Sequence, residues 1–341
     1  MKSSVPDGTA IGVPELKFEN IFGGKMPGFT SHYLFGQSAL ANMKEGSLKD
    51  AVRKYNFSYN LGMQGPDIFF FYMKTAVFPH KPGEIAHEKK TGKFLKNMAQ
   101  IAAYHTDIDQ RECAAAYMAG FLGHYALDMT CHPFVYARTA YDGITDNRYF
   151  GRHCSLETDI DAHYLMMERS MHPSEFSKRS VIDISSAEAR VICPLLSKTY
   201  NKTYGLRCRV SERSVAGAIK SIQKMTDLLK DPRGIKRTLL RKAEDGVLGY
   251  NWMSGMIECE HGFYHKDPCN MQHDIWKNPW KKEISRTESF YDLRDNAFEI
   301  YGQMLSYPER IITEGADFSK DKDVPDSIEK SYSYLSGLQV P

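Results

Sequence analysis

Apolar and polar positions along most of this chain recur at helical rather than alternating intervals. From Gln37 to about Tyr59 the spacing predicts a helix. Gly65-Pro66-Asp67 breaks the pattern, and residues 79–83 form a loop. Helical spacing resumes near Glu84 to His87 and runs to about His105. A turn over His105 to Asp109, with Asp109 as cap, leads into a helix that Pro133 is expected to disrupt. Residues 138–151 return the chain as a loop, and a helix follows from about Cys154 to Met171, ahead of Pro173. Further amphipathic stretches cover 186–201, 211–230, 233–245 and Glu288 to about Tyr307, with a last one at 325–336. Residues 246–283 read as a long irregular segment, of the kind that usually serves function. There is no period-2 run and no internal repeat. The prediction is an all-α fold with long inter-helix loops: a flexible extension over 1–25 and a single helical domain over 26–341.

Composition narrows the class. The chain has 341 residues, 42% hydrophobic and 25% charged, as expected of a globular protein. Its formal net charge of +2 gives no overall electrostatic pull towards nucleic acid or an anionic membrane. Seven cysteines without a CxxC pair argue against a disulfide framework and for a reducing compartment. The first twenty-five residues lack the apolar run of a signal peptide, and no stretch has the length of a membrane span. The expected location is therefore the cytoplasm. Nothing in the residues bears on oligomeric state.

One stretch changes the picture. His124, Asp128 and His132 stand four residues apart among Phe121, Leu122, Tyr125, Ala126 and Leu127. Spacing of four advances about 40° around a helix, so all three side chains fall on one side. Leaving them buried and unpartnered would cost several kcal/mol, a cost that bound cations remove. A second pair, His153-x3-Glu157, follows on the next helix. With His32, Asp67 and His87 the set offers nitrogen and oxygen donors in excess of the four that one structural zinc needs. That donor chemistry points to a multinuclear hydrolytic centre. Cys131 and Cys154 adjoin candidate histidines, but thiolates suit a structural zinc better than a hydrolytic one.

The set resembles the zinc-dependent phospholipase C family and, through it, the zinc-dependent single-strand nucleases. The likeness covers roughly residues 26–310. It rests on Met26-Pro-Gly-Phe-Thr-Ser-His32, Gly65-Pro66-Asp67, His124-x3-Asp128 followed by His132-Pro133, and His153-x3-Glu157. The resemblance implies an all-helical fold with two to three zinc ions at the base of a cleft. It implies Asp67, His87, His124 and Asp128 as ligands of one ion, and His132, His153 and Glu157 as ligands of a second. His32 and Asp128 would belong to a third, with Asp128 bridging. His87 is preferred to His80, which lies in the proline loop. Asp161 and His163 read as surface or supporting residues, and His261, His265 and His273 as cleft-rim residues.

By the same resemblance the reaction is hydrolysis of a glycerophospholipid to diacylglycerol and a phosphorylated head group. The nucleophile would be a zinc-bound hydroxide, with Asp67 orienting or deprotonating the water. A nuclease or nucleotidase of the same architecture is the alternative, with Phe69, Phe70, Phe71, Tyr72 or Trp252 offering a stacking surface. A helical protein whose metals only stabilise its core is a further one. The sequence departs from the family in two places. Family members hold the third zinc partly through an N-terminal tryptophan, and no tryptophan precedes His32. A start at Met26, leaving 1–25 untranslated, would restore a free amine close to His32. The step from Asp128 to His132 is also shorter than the family's.

Overall fold

The computed structural model describes residues 28–72, 74, 81–258, 260 and 263–340. The extension over 1–25, Met26, His80 and His261 lie outside the described residues. The architecture is all-α. Its only sheet among the described residues is an antiparallel pair, Trp276–Lys277 with Ser285–Arg286.

The core is organised around one long helix, α6 (Ile108–Arg138), in which every residue from Cys113 to Tyr136 is buried. A helix apolar all round must be enclosed on every side. Around it pack α1 (Phe29–Asn42), α2 (Ser47–Lys54), α3 (Asn56–Gly62), α5 (Thr91–Ala103), α7 (Asn147–Arg169), α8 (Ser186–Tyr204), α11 (Phe290–Met304) and α12 (Ser306–Glu314). Small residues permit the closest approach. A β-carbon on Gly62 would fall 2.2 Å from the Tyr117 carbonyl, and one on Gly120 2.0 Å from that of Tyr59. These two contacts seat α3 backbone-to-backbone on α6. They fix where the chain leaves α3, just before Gly65-Pro66-Asp67.

Several boundaries differ from the periodic expectation, each for a local reason. The stretch expected as one helix over 37–59 is three, α1 to α3, broken where Met43 turns extended and Gly46 takes φ 159°. Helix α1 also starts earlier, at Phe29, so His32 sits in its first turn. Left-handed Lys90 (φ 56°) divides the next helix into α4 (Pro82–Glu88) and α5. His87 therefore closes a short helix instead of opening a long one. Asp107, not Asp109, caps α6 by accepting the Asp109 N–H at 2.8 Å. Pro133 does not end α6; the helix runs on to Arg138. Its missing N–H frees the Met129 carbonyl, which lies against Gly337, and packing on all sides holds the helix together. Helix α7 begins at Asn147, capped by Asp146 accepting from Tyr149.

Beyond α8 the chain forms α9 (Glu212–Leu228) and α10 (Ile235–Val247), near the predicted limits. Of the described residues from Leu248 to Glu283, those outside the 3-10 turn Met253–Met256 and the strand Trp276–Lys277 are irregular, as expected. Helix α12 was not evident in the pattern, and the last stretch is helical only over α13 (Asp326–Glu329). The remainder folds back as a strap, closed by a bridge between Tyr332 and Gln339. No helix among the described residues is long and apolar enough to cross a membrane. Among the described residues Cys113, Cys131, Cys193, Cys208 and Cys269 form no disulfide.

Candidate metal centre

Eight side chains predicted from the sequence converge on one buried region. Helix α1 brings His32, the 3-10 turn Gly65–Phe69 brings Asp67, and α4 brings His87. Helix α6 contributes His124, Asp128 and His132 from one face, and α7 contributes His153 and Glu157. All eight are buried. They fall into two groups. Donor atoms of His32, Asp67, His124 and Asp128 lie within 4.8 Å of one another, as do those of His132, His153 and Glu157. His87 joins the first group, with Nε2 3.2 Å from Asp67 Oδ1 and 3.5 Å from Asp128 Oδ2.

Asp128 stands at the centre. Its Oδ1 is 3.0 Å from His32 Nε2 and its Oδ2 is 3.1 Å from His124 Nε2. The same Oδ2 is 3.6 Å from His132 Nδ1, linking the two groups. The short step to His132 keeps that residue in register, since spacing of four holds it on the same face of α6. Its Nε2 is 3.3 Å from Glu157 Oε1, and His153 Nε2 is 3.1 Å from the same oxygen.

Backbone carbonyls set the orientation of three rings. His87 Nδ1 donates to Gly83 O at 2.6 Å, His124 Nδ1 to Met63 O at 3.2 Å, and His132 Nδ1 to Tyr334 O at 2.9 Å. A carbonyl can only accept, so Nδ1 carries the proton and Nε2 of the neutral ring presents a lone pair. Each Nε2 lone pair faces a carboxylate oxygen. That juxtaposition is repulsive unless a proton or a cation lies between. His32 Nδ1, Asp67 Oδ2, His124 Nε2, Asp128 Oδ2 and Glu157 Oε2 are buried without a hydrogen-bond partner. Orphaned buried atoms in both groups, all nitrogen or carboxylate oxygen, fit divalent cations of zinc's type.

Without a cation, protons take that place. Burial would lower His87, but the carboxylates of Asp67 and Asp128 outweigh it and carry the ring up to about 9. His124 is raised by the same opposition of burial against Asp128 and Asp67. Burial pushes Glu157 up to about 8, against the pull of His132. Asp128 is held well below the usual carboxylate range, because His124, His132 and His32 together overcome its burial.

Supporting residues came less readily from the sequence. Asp161, read as surface or supporting, is buried and fastens the start of α1: it accepts from Thr30 N (2.9 Å), Ser31 N (2.8 Å) and Ser31 Oγ (2.6 Å). His32 is thereby anchored to the helix that carries Glu157. His163 is half-buried, 3.0 Å from the Tyr291 hydroxyl, and joins neither group. His265 pairs with Asp159 at 2.9 Å, and His273 is exposed. Cys131 and Cys154 belong to neither group, and burial pushes the Cys131 thiol up to about 12. The C-terminal strap was not foreseen as part of the site. Besides the Tyr334 carbonyl on His132, it gives a Tyr334 N–H to the His87 carbonyl. A backbone group carries no sequence mark, so no signal could have found it.

A cleft opens beside Glu157, lined by Phe29, Phe71 and Phe176 and by Lys178, paired at 2.8 Å with half-buried Glu258. Of the five aromatics considered for stacking, Phe71 alone lines it. Phe69 packs edge-on against Tyr200, and Phe70 stacks on the His87 ring.

Comparison with known proteins agrees with this geometry. The family model described as zinc-dependent phospholipase C matches residues 31–205, which carry all eight converging side chains. No curated protein and no solved structure matches the chain. With half of its length matched and the family's donor types gathered at one buried centre, the chain belongs to the zinc-dependent phospholipase C family.

Proposed function

We propose that this protein hydrolyses a glycerophospholipid, releasing diacylglycerol and a phosphorylated head group, with two to three zinc ions held by the eight converging residues. The observation that carries the reading is Asp128, whose two oxygens face different histidines of one group while one of them also approaches the other group. A carboxylate so placed lowers the repulsion between neighbouring cations. In this assignment His87, His124, Asp67 and Asp128 hold one ion, His132, His153 and Glu157 a second, and His32 with Asp128 a third. When bound, zinc supplies an acidified water and positive charge to offset that of the phosphate.

The chain's own residues supply the rest. Asp67 is 1% exposed, and its Oδ2 has no hydrogen-bond partner. It is the carboxylate best disposed to orient the attacking water or to take its proton. Phe29, Phe71 and Phe176 give the adjacent cleft an apolar wall that excludes water. Five carboxylates and two lysines line that cleft, too little positive charge to track a polynucleotide backbone, whereas its phenylalanine wall suits an acyl chain, which favours a lipid over a nucleic-acid substrate. A purely structural role for the metals is opposed by the donor set, which is richer than one closed tetrahedral site requires.

The test is turnover by zinc-reconstituted protein on phosphatidylcholine, other phospholipids, single-stranded DNA and nucleotides, each with and without chelator. Chelator-sensitive release of diacylglycerol supports the reading. Stoichiometric zinc without turnover of any phosphoester overturns it. Asp67→Asn should lower kcat by about 10²–10⁴-fold.

A further inference from the structure

Helix α10 is turned inside out. Its one buried residue is Glu244, whose carboxylate accepts the N–H groups of Trp252, Met253 and Ser254 and the Ser254 hydroxyl. At 3.6 residues per turn, Ile235, Leu239 and Ala243 share the face directed away from Glu244. Ile235 is 53% and Leu239 63% exposed, and Leu228 at the end of α9 is 56% exposed. A helix that only covered the core would present the reverse arrangement.

The charge around this face is in positive excess. Residues 229–247 contain six Lys or Arg against Asp231, Glu244 and Asp245, with Glu244 turned inward, in a chain whose formal net charge is +2. Lys236 and Lys242 flank the apolar face on either side. The Lys236 ammonium also holds the Leu228 and Lys230 carbonyls, tying α10 to the end of α9. The segment adjoins the cleft. Lys230 and Asp231 line the same opening as Glu157, and Asp231 accepts the Arg237 N–H at 2.7 Å.

We infer that α10 and the turn before it form an interfacial docking surface for an anionic phospholipid bilayer. Ile235 and Leu239 enter the acyl boundary, and the surrounding cations meet the lipid phosphates. An exposed apolar stripe flanked by lysines is the pattern of a helix lying in a membrane interface. Docking there would bring the cleft mouth to the surface from which a phospholipid must be drawn. The inference rests on the phospholipase reading for its purpose, though not for its physics.

Vesicle flotation tests it, using phosphatidylcholine vesicles and equimolar phosphatidylcholine–phosphatidylserine vesicles. Turnover of monomeric short-chain phosphatidylcholine is followed in parallel. Binding should favour the anionic vesicles and weaken with salt. Arg233→Ala with Lys242→Ala should reduce partitioning about thirty-fold, at roughly one kcal/mol per cation near an anionic surface. Ile235→Ser with Leu239→Ser should reduce it about a hundredfold. Turnover of the monomeric substrate should be unchanged in both. Absence of vesicle binding while that substrate is still turned over overturns the docking surface and leaves the phospholipase reading intact. Anionic binding by a protein that hydrolyses no phospholipid upholds the surface and removes the reading. A concentration-dependent dimer that the Ile235/Leu239 variant abolishes, without vesicle binding, assigns the face to a second copy and overturns the proposal.

Discussion

Gly65 lies so close beneath the His124 ring that a β-carbon on it would fall 2.2 Å from Cδ2. Its φ of 50° is one that residues with a side chain rarely adopt. The contact lets the turn carrying Asp67 close onto α6 and brings Asp67 Oδ2 within 3.4 Å of His124 Nε2. Gly65→Ala should therefore lose about 2–4 kcal/mol of stability from strain and overpacking together, and zinc content should fall. Gly143→Ala is the control: φ is 100° there, but nothing lies within 4 Å. Urea unfolding should register a cost of about 1 kcal/mol for the control, with zinc content unchanged.

The protonation pattern sets a pH dependence. Glu157 is raised from 4.5 to about 8 and His87 from 6.5 to about 9, so near pH 7 the metal-free protein carries a proton on each. A group raised on folding stabilises the fold below its unfolded value, and that contribution is lost as pH climbs through the folded value. The metal-free protein should lose these two contributions between 4.5 and about 8, and between 6.5 and about 9. Asp128 runs the opposite way: its contribution is present above 3.8 and lost as acid protonates it. Zinc must displace the two protons, so its affinity should rise with pH. Near pH 7 calorimetry in buffers of different ionisation enthalpy should find protons released on zinc binding, those of Glu157 and His87 among them. Heats independent of the buffer would contradict this.

Asp161 is the fastening between α1 and α7. Asp161→Ala leaves the Thr30 and Ser31 N–H groups and the Ser31 hydroxyl without their acceptor. The expected cost is about 3 kcal/mol. Because His32 sits one residue beyond Ser31, zinc should also be lost from the His32 position first. Timed zinc release to a chromophoric chelator should resolve an additional fast phase in this variant.

The strap gives a further separation. Deleting residues 331–341 removes the carbonyl that holds His132 Nδ1 and the N–H bonded to the His87 carbonyl. Loss of such outer partners typically costs about 10–100-fold in metal affinity. Chelator competition should locate the weakening at the group formed by His132, His153 and Glu157. Unchanged affinity in a folded, truncated chain would remove the strap from the site.

The metal-facing side chains could be read in advance because their chemistry contradicts their setting. Three polar groups at spacing four among Phe121, Leu122, Tyr125 and Leu127 have no ordinary reason to be buried. The all-helical class was legible for a similar reason, since periodicity accumulates over many residues. What escaped was decided by contacts distant in sequence. Pro133 reads as a helix stop, yet α6 is enclosed on every side and continues through it. Gly46 and Lys90 break helices that local spacing would have continued. Asp161 sits on a helix as an ordinary acidic residue, and only the fold brings the start of α1 onto it. Tyr334 acts through its backbone, which no residue identity reveals.

The proposed centre places two neighbouring groups of side chains around one cluster of cations. Anomalous diffraction at the zinc absorption edge tests it most directly, on crystals grown with zinc. Expected are a peak among Asp67, His87, His124 and Asp128, a second among His132, His153 and Glu157, and weakening of the first in Asp128→Asn. Peaks confined to the surface, or an unchanged first peak in that variant, would contradict it.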